Sequence, residues 1–321
     1  MNRILEIFIH IISLPLILAL LGHTAAAQNR QEDAVIRFGL TSSLIEADVN
    51  INDALAATKV WASAMSKGIG LWTTTDAVIY ENAAALMAAV NAGETDVVAL
   101  GTHEYLEIQD SLKATPMLTY LTAGQVGNQY LVLVHRDSPF RTIGDLRNQR
   151  IVWMKAGRNT MIPLWLDVLL NENGIRESQK FFREVKDVQK PSQAILPIFF
   201  KQIESGIVLK SSFDTAAELN PQVGQQLRVL AASPKYVMLV VCMRSTLSPD
   251  KRDQYVRQAL KLHETPSGLQ SFAIFKLDRL IPWNPSYFDN VRELLNKRKS
   301  FRPGTQLQAH SNTLGEAEKR K

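Results

Sequence analysis

Tyr130–Thr160, YLVLVHRDSPFRTIGDLRNQRIVWMKAGRNT, constrains this chain more than any other stretch. Tyr130–His135 is a short run of apolar β-formers, the pattern of a buried strand. Arg136-Asp137-Ser138-Pro139 breaks it with turn chemistry. Thr142 stands three residues before Asp145, a relative of the capping box, so Leu146 is expected on a single short helix. Ile151–Met154 reads as a second buried strand. Lys155–Thr160 is polar and stops where an apolar helix begins at Met161. A helix start exposes unpaired N–H groups and the positive end of the dipole, which suits an anion. The order of strand, turn, short helix, strand, polar loop and helix describes a crossing into a second lobe, with the loop facing a ligand cleft.

The rest of the chain keeps the same alternation. Val35–Leu40 is a strand running into Thr41-Ser42-Ser43, and Asn52 is placed to cap a helix reaching about Lys67. Leu71–Thr74 reads as a strand. Asn82–Asn91 is an alanine-rich helix closed by Gly93. Asp96–Leu100 is a strand continued by Gly101-Thr102-His103-Glu104-Tyr105, and Pro116–Leu121 is another. Phe182–Val185 reads as a strand, and a helix runs from Pro191 to Glu204 with a bend at Pro197. Ile207–Leu209 is a strand ending in Lys210-Ser211-Ser212. Leu227–Ala232 and Val237–Met243 are strands. Ser248 and Pro249 open a helix to His263, and Leu269–Phe275 and Tyr287–Asn296 are shorter helices. Strands alternating with helices indicate the α/β class, with mostly parallel sheets flanked by helices. Ligands of such sheets bind beyond the C-terminal ends of strands. The candidate contacts are therefore Thr41, Ser42, Ser43, Gly101, Thr102, His103 and Tyr105, although turn chemistry explains Thr41, Ser42 and Thr102 equally well.

Two internal echoes point to duplicated lobes. AVNAGETDVVALG and FKQIESGIVLKSS both read helix, polar turn with glutamate, strand, polar end. YLVLVHRDSPF and YVMLVVCMRSTLSP both read apolar strand, arginine, serine, helix start. Two similar lobes joined by two similar crossing strands would produce both pairs, and so would generic α/β punctuation.

Composition narrows the partner. The net charge of +5 is spread out, without an arginine-rich block or aromatic–basic interleaving, so no nucleic-acid partner is expected. Residues 1–27 read as a signal peptide: Arg3, an apolar core Ile7–Leu21, and Thr24-Ala25-Ala26-Ala27 before Gln28. An uncleaved membrane anchor is the alternative, although the apolar core is shorter than the ~20 residues a spanning helix needs. Cys242 is the one cysteine. No internal disulfide can form, and the cleavage site lacks the cysteine that a lipid anchor requires. The expected location is the periplasm. Cys242 lies in an apolar run and reads as a buried, inert thiol.

GETDVVALGTHEYLE, YLVLVHRDSPFRTIGDLRNQRIVW, LSPDKRDQYVRQALKLHETPSG and YFDNVREL resemble the phosphate/phosphite/phosphonate-binding proteins of ABC transporters. The resemblance covers about Val35–Asn296. It implies a two-lobed type II periplasmic binding protein with two hinge strands, closing around a small anionic ligand for a membrane permease. Lobe 1 would hold 33–129 and 246–300, lobe 2 would hold 130–245, and 301–321 would be a disordered tail. The family's Ser/Thr-rich ligand loop falls at Ala156–Thr160, where only Thr160 keeps a hydroxyl. An acidic residue that meets a ligand amine in some members falls near Leu209 and is replaced here by Lys210. The implied ligand is an anion without an amine, contacted by Arg158, Asn159, Thr160, Lys210 and Ser211 from lobe 2 and by Thr41, Ser42, Thr102, His103 and Tyr105 from lobe 1. Arginine can fork a phosphate-type oxyanion. Solvated loop charge accounts for Arg158 and Lys210 equally well.

Other chemistries find no support. His103-Glu104 begins a zinc-protease pair, but Glu107 stands where the second histidine belongs. There is no glycine–lysine phosphate loop and no Gly-x-Ser-x-Gly. Neither an enzyme nor a cofactor or metal is expected, and the chain is expected to be a monomer. A sensor presenting ligand occupancy to a membrane kinase, cyclase or chemoreceptor is the alternative to a transport protein, and a scaffold that has lost its ligand is a third reading.

Overall fold

The computed structural model describes residues 36–46, 48–68, 76–154, 157–176 and 180–301. The expected signal peptide, the strand expected at Leu71–Thr74 and the tail after Phe301 lie outside them. The first unit runs β1 (Phe38–Thr41), α1 (Ile51–Gly68), β2 (Ala77–Tyr80), α2 (Ala83–Asn91), β3 (Val97–Gly101), α3 (Thr102–Ile108), β4 (Ala114–Thr122) and β5 (Gln125–Val126). The second runs β6 (Tyr130–His135), β7 (Arg150–Met154), α4 (Ile162–Glu172), β8 (Glu184–Val188), α5 (Pro191–Phe199), β9 (Ser205–Leu209), α6 (Lys210–Leu219), α7 (Pro221–Gln226) and β10 (Leu227–Ala232). The chain returns through β11 (Leu239–Arg244), α8 (Pro249–Lys261), α9 (Pro266–Ile274), β12 (Arg279–Pro282) and α10 (Asp289–Phe301).

The two sheets repeat one plan. The first is ordered β12-β4-β11-β3-β1-β2 and the second β10-β6-β9-β7-β8. In each, a βαβαβ unit supplies three parallel strands (β2-β1-β3 and β8-β7-β9). Each then takes an antiparallel strand from a crossing: β11 beside β3, and β6 beside β9. The two internal echoes correspond to these positions. The sheets are thus mixed, where mostly parallel ones were expected, because a strand arriving from the other lobe enters from the opposite end. Leu239–Arg244, within the 130–245 stretch assigned to lobe 2, pairs with β3 and β4 in the first sheet.

An ion pair recurs at the N-terminal ends of the parallel strands in each sheet. The Arg37 backbone N–H and Nε donate to Asp96 Oδ2 at 3.0 and 3.1 Å. The Arg150 backbone N–H and Nε donate to Glu204 Oε2 at 3.1 and 2.9 Å. Each clamps the start of the first strand of its unit to the residues just before the third. Asp96, buried, also accepts from Arg244 Nη2 at 2.6 Å, tying β11 into the same clamp.

Strand side chains alternate between two apolar layers. Val97 and Ala99 of β3, with Tyr130, Val132 and Val134 of β6, enter one core shared by both lobes. Val98 and Leu100 pack in a layer on the other side of the first sheet, and Leu131 and Leu133 in one on the other side of the second. Strands covered on both faces read as continuous apolar runs, which is why these were visible in the sequence.

Departures from expectation concern mostly edges and caps. Helix α1 starts at Ile51, with Asn50 Oδ1 accepting from Asn52 N–H at 2.8 Å, so Asn50 and not Asn52 serves its first turn. Strand β8 begins two residues after the expected Phe182. Phe181 and Phe182 instead meet edge-on at 4.8 Å and are buried. Helix α5 ends at Phe199 and not at Glu204, with the Gln202 N–H bonded to Pro197 O at 2.7 Å in the turn that follows. Lys210–Leu219 is a helix where only a polar strand end was expected.

Candidate functional site

Four strand ends of equivalent position carry the candidate residues: Thr41 after β1, Gly101 after β3, Met154 after β7 and Leu209 after β9. After β1 and β7 the chain makes matching 3-10 turns, Ser42–Leu44 and Gly157–Asn159, and these two turns touch across the lobes. Glu46, buried, reaches over that contact. A Cβ built on Gly157 would lie 2.4 Å from the Glu46 carboxyl, and Gly157 holds φ +64, so both backbone conformation and space demand glycine there.

The first lobe's half of the site is built around one carboxylate oxygen. Glu104 stands in the first turn of α3, and its Oε2 accepts from the Gly101 N–H at 2.8 Å. It also accepts from Thr41 Oγ1 at 2.8 Å and Ser43 Oγ at 2.9 Å. Three neutral donors from two strand ends thus converge on one point, the arrangement that stabilises an oxyanion. Thr102 follows, wholly buried, with Oγ1 lacking a hydrogen-bond partner. His103 is half-buried, and its ring lies 2.9 Å from where a Gly101 Cβ would be. Its Nδ1 also lacks a partner. Burial lowers the His103 pKa, against the opposing pull of Glu104, so the ring is held neutral near pH 7.

The described candidates of the second lobe lie in the turn after β7 and on the first turn of α6. Asn159 is buried in its turn, and Thr160 closes that turn by donating its backbone N–H to Gly157 O at 3.2 Å. Arg158 lies in the same turn, and its side chain is outside the described residues, as are Lys155 and Ala156. Lys210 sits on the first turn of α6 with Nζ 2.6 Å from Asp214 Oδ2, an exposed i,i+4 pair on its own helix. Ser211 Oγ donates to Asn128 Oδ1 at 3.3 Å, on the segment leading into β6. In the shared core, Tyr130 is stacked on Trp165 with ring centroids 5.9 Å apart and tilted against Tyr236 at 6.2 Å.

Two candidates are placed away from this convergence. Tyr105 packs on Phe288 at 5.5 Å in an apolar layer of the first lobe, where burial raises its phenol pKa. Ser42 Oγ donates to Glu81 O at 2.8 Å and ties its turn to the end of β2. Sequence reasoning passed over Glu104 and Glu46. The signal for Glu104 was an acid three residues after Gly101, in capping position, but its link to Thr41 spans 63 residues and could not be read locally.

Comparison with known proteins agrees with this architecture. A family model described as an ABC transporter, phosphonate, periplasmic substrate-binding protein matches residues 49–288. No curated protein matches. A binding-protein component of an ABC phosphonate transporter from Pseudomonas aeruginosa is 15% identical, with TM-score 0.56 over 85% of this chain and 90% of that one. PhnD1 from Prochlorococcus marinus in complex with methylphosphonate is 16% identical, with TM-score 0.55 over 82% and 99%. A Xanthomonas citri protein bound to ATP is 16% identical, with TM-score 0.60 over 85% and 100%. The matched family is one of binding proteins and not of enzymes, its model spans about three quarters of the chain, and the chain therefore belongs to the periplasmic substrate-binding proteins of phosphonate ABC transporters.

Proposed function

We propose that this protein captures a small oxyanion of the phosphate or phosphonate class between its lobes and delivers it to an ABC permease. The observation that carries the reading is the convergence of Thr41 Oγ1, Ser43 Oγ and the Gly101 N–H on a single carboxylate oxygen. Donors that hold a carboxylate oxygen suit the oxygens of a phosphonate. Thr102 Oγ1 and the neutral His103 add hydrogen-bonding capacity on the same side. Arg158, Asn159, Thr160 and Ser211 supply the facing lobe, where an arginine fork would provide charge. Lys210, Ser42 and Tyr105 act through structure: an ion pair, a turn tie and a packed ring. The family description supports export, and the protein in the periplasm would begin at Gln28 as a monomer.

The test is a thermal-shift series with phosphate, phosphite, methylphosphonate and sulfate against neutral amino acids and sugars. A ligand at a hundred times its dissociation constant adds about 2.7 kcal/mol, which raises the midpoint by several degrees. Shifts confined to the oxyanions are expected. A shift with the neutral solutes alone would overturn the reading.

A further inference from the structure

The three donors at the first lobe's strand ends already have an occupant from the chain itself. Glu104 Oε2 lies at 2.8, 2.8 and 2.9 Å from the Gly101 nitrogen, Thr41 Oγ1 and Ser43 Oγ, and the two hydroxyls stand 2.9 Å from each other. This is more than a helix cap. A capping carboxylate needs only backbone N–H groups, whereas two of these donors come from a different strand and its following turn. Thr41 is wholly buried, so its hydroxyl has no water to turn to and must be matched by an acceptor. An oxyanion from solution would need the same donors, at a place where one negative charge already sits.

We propose that Glu104 is a tethered competitor for the oxyanion position and a specificity-determining residue of the cleft. The inference rests on the function proposed above and adds a constraint to it. Binding is an exchange: the ligand's oxygen takes the Thr41, Ser43 and Gly101 donors as the Glu104 carboxylate swings away. Small free oxyanions gain only the difference between two similar sets of hydrogen bonds and meet a like charge nearby. They are therefore held weakly by the native chain. Contacts with the facing lobe offset that loss, so Glu104 lowers the affinity for every oxyanion of this class and ranks them by what they add beyond the three shared donors.

The experiment is titration calorimetry of methylphosphonate and inorganic phosphate into the purified native protein, Glu104→Gln and Glu104→Ala. Thr41→Val is added in the Glu104→Ala background, and folding is checked by circular dichroism. Removing a charged acceptor from three donors is expected to tighten both anions by roughly tenfold or more in Glu104→Ala. Glu104→Gln keeps an acceptor for the Gly101 amide but loses the charge, and is expected to fall between. Thr41→Val should abolish the gain. Equal affinity in native protein and Glu104→Ala would overturn the competitor role while leaving the binding-protein reading intact. A gain that survives Thr41→Val would place the anion elsewhere and also overturn it. Binding by neither form would remove the oxyanion position, and the proposed function with it. If Glu104→Ala does not fold, Glu104→Gln decides: tighter binding supports the proposal and equal binding overturns it.

Discussion

Gly157 shows how one residue can hold a lobe contact. Its φ of +64 lies in the left-handed region, and the Glu46 carboxyl covers the face where a side chain would project. An alanine there pays about 1–2 kcal/mol for the backbone alone and must also push aside a buried carboxyl. Gly157→Ala is expected to lower the melting midpoint by several degrees and to weaken oxyanion binding, checked by calorimetry with and without methylphosphonate. A glycine after Lys155-Ala156 is plain in the sequence, but its reason is not. Glu46 lies more than a hundred positions earlier, and nothing local links the two. Glu104 presents the same difficulty: nothing local marks it as the centre on which Thr41, Ser43 and Gly101 converge.

At the scale of elements, the legible strands are the interior ones. The strands β3, β6, β7, β9 and β11 are covered on both faces and announce themselves as apolar runs. Of the edge strands, β10 was read at its observed bounds, Leu227–Ala232, whereas the other three were missed or misplaced. β2 (Ala77–Tyr80) and β12 (Arg279–Pro282) lie at the ends of the first sheet, and the β8 segment EVKDV at the edge of the second has four exposed residues. Helix α6, KSSFDTAAEL, buries no residue fully, and only Phe213 and Ala216 pack on the core, so its polar start read as a strand end. The Arg–acid clamps instead join interior strands at their starts, β1 to β3 and β7 to β9, and give a testable pH signature. Arg150, through its side-chain hydrogen bonds, holds the Glu204 carboxyl below the ordinary glutamate value of 4.5, against the opposing effect of burial. A carboxyl depressed in the folded state stabilises fully above that ordinary value and loses its contribution as pH falls through the lower folded one. Glu204→Gln is therefore expected to cost about 1 kcal/mol at pH 7, the pair being partly exposed. The difference from the native protein should vanish in acid, as read from urea unfolding at a series of pH values. A cost independent of pH would refute the clamp's electrostatic role.

At the scale of the whole molecule, the two sheets share more than a hinge. Tyr130 and Trp165 of the second unit, Phe38 and Tyr120 of the first, and Leu294 of α10 belong to one apolar core. α10 follows the first unit's last strand yet packs on α4, with Lys297 Nζ 2.9 Å from Glu172 Oε1. Two sheets with a common core are expected to unfold together. Differential scanning calorimetry should show a single transition with matching calorimetric and van't Hoff enthalpies. Two separated transitions would show that the lobes are independent. By itself the sequence determined the α/β class, the repeated βαβ units, the crossing strand at Tyr130 and the strand ends that carry the candidate residues, because buried strands and caps leave local, periodic marks. Only the tertiary structure decided that the sheets are mixed, that β11 belongs to the first of them, and that Glu104 gathers Thr41, Ser43 and Gly101 on one carboxylate oxygen. Those facts depend on which distant segments meet, and strand pairing and hydrogen bonding across 60 residues leave no periodic trace in the chain.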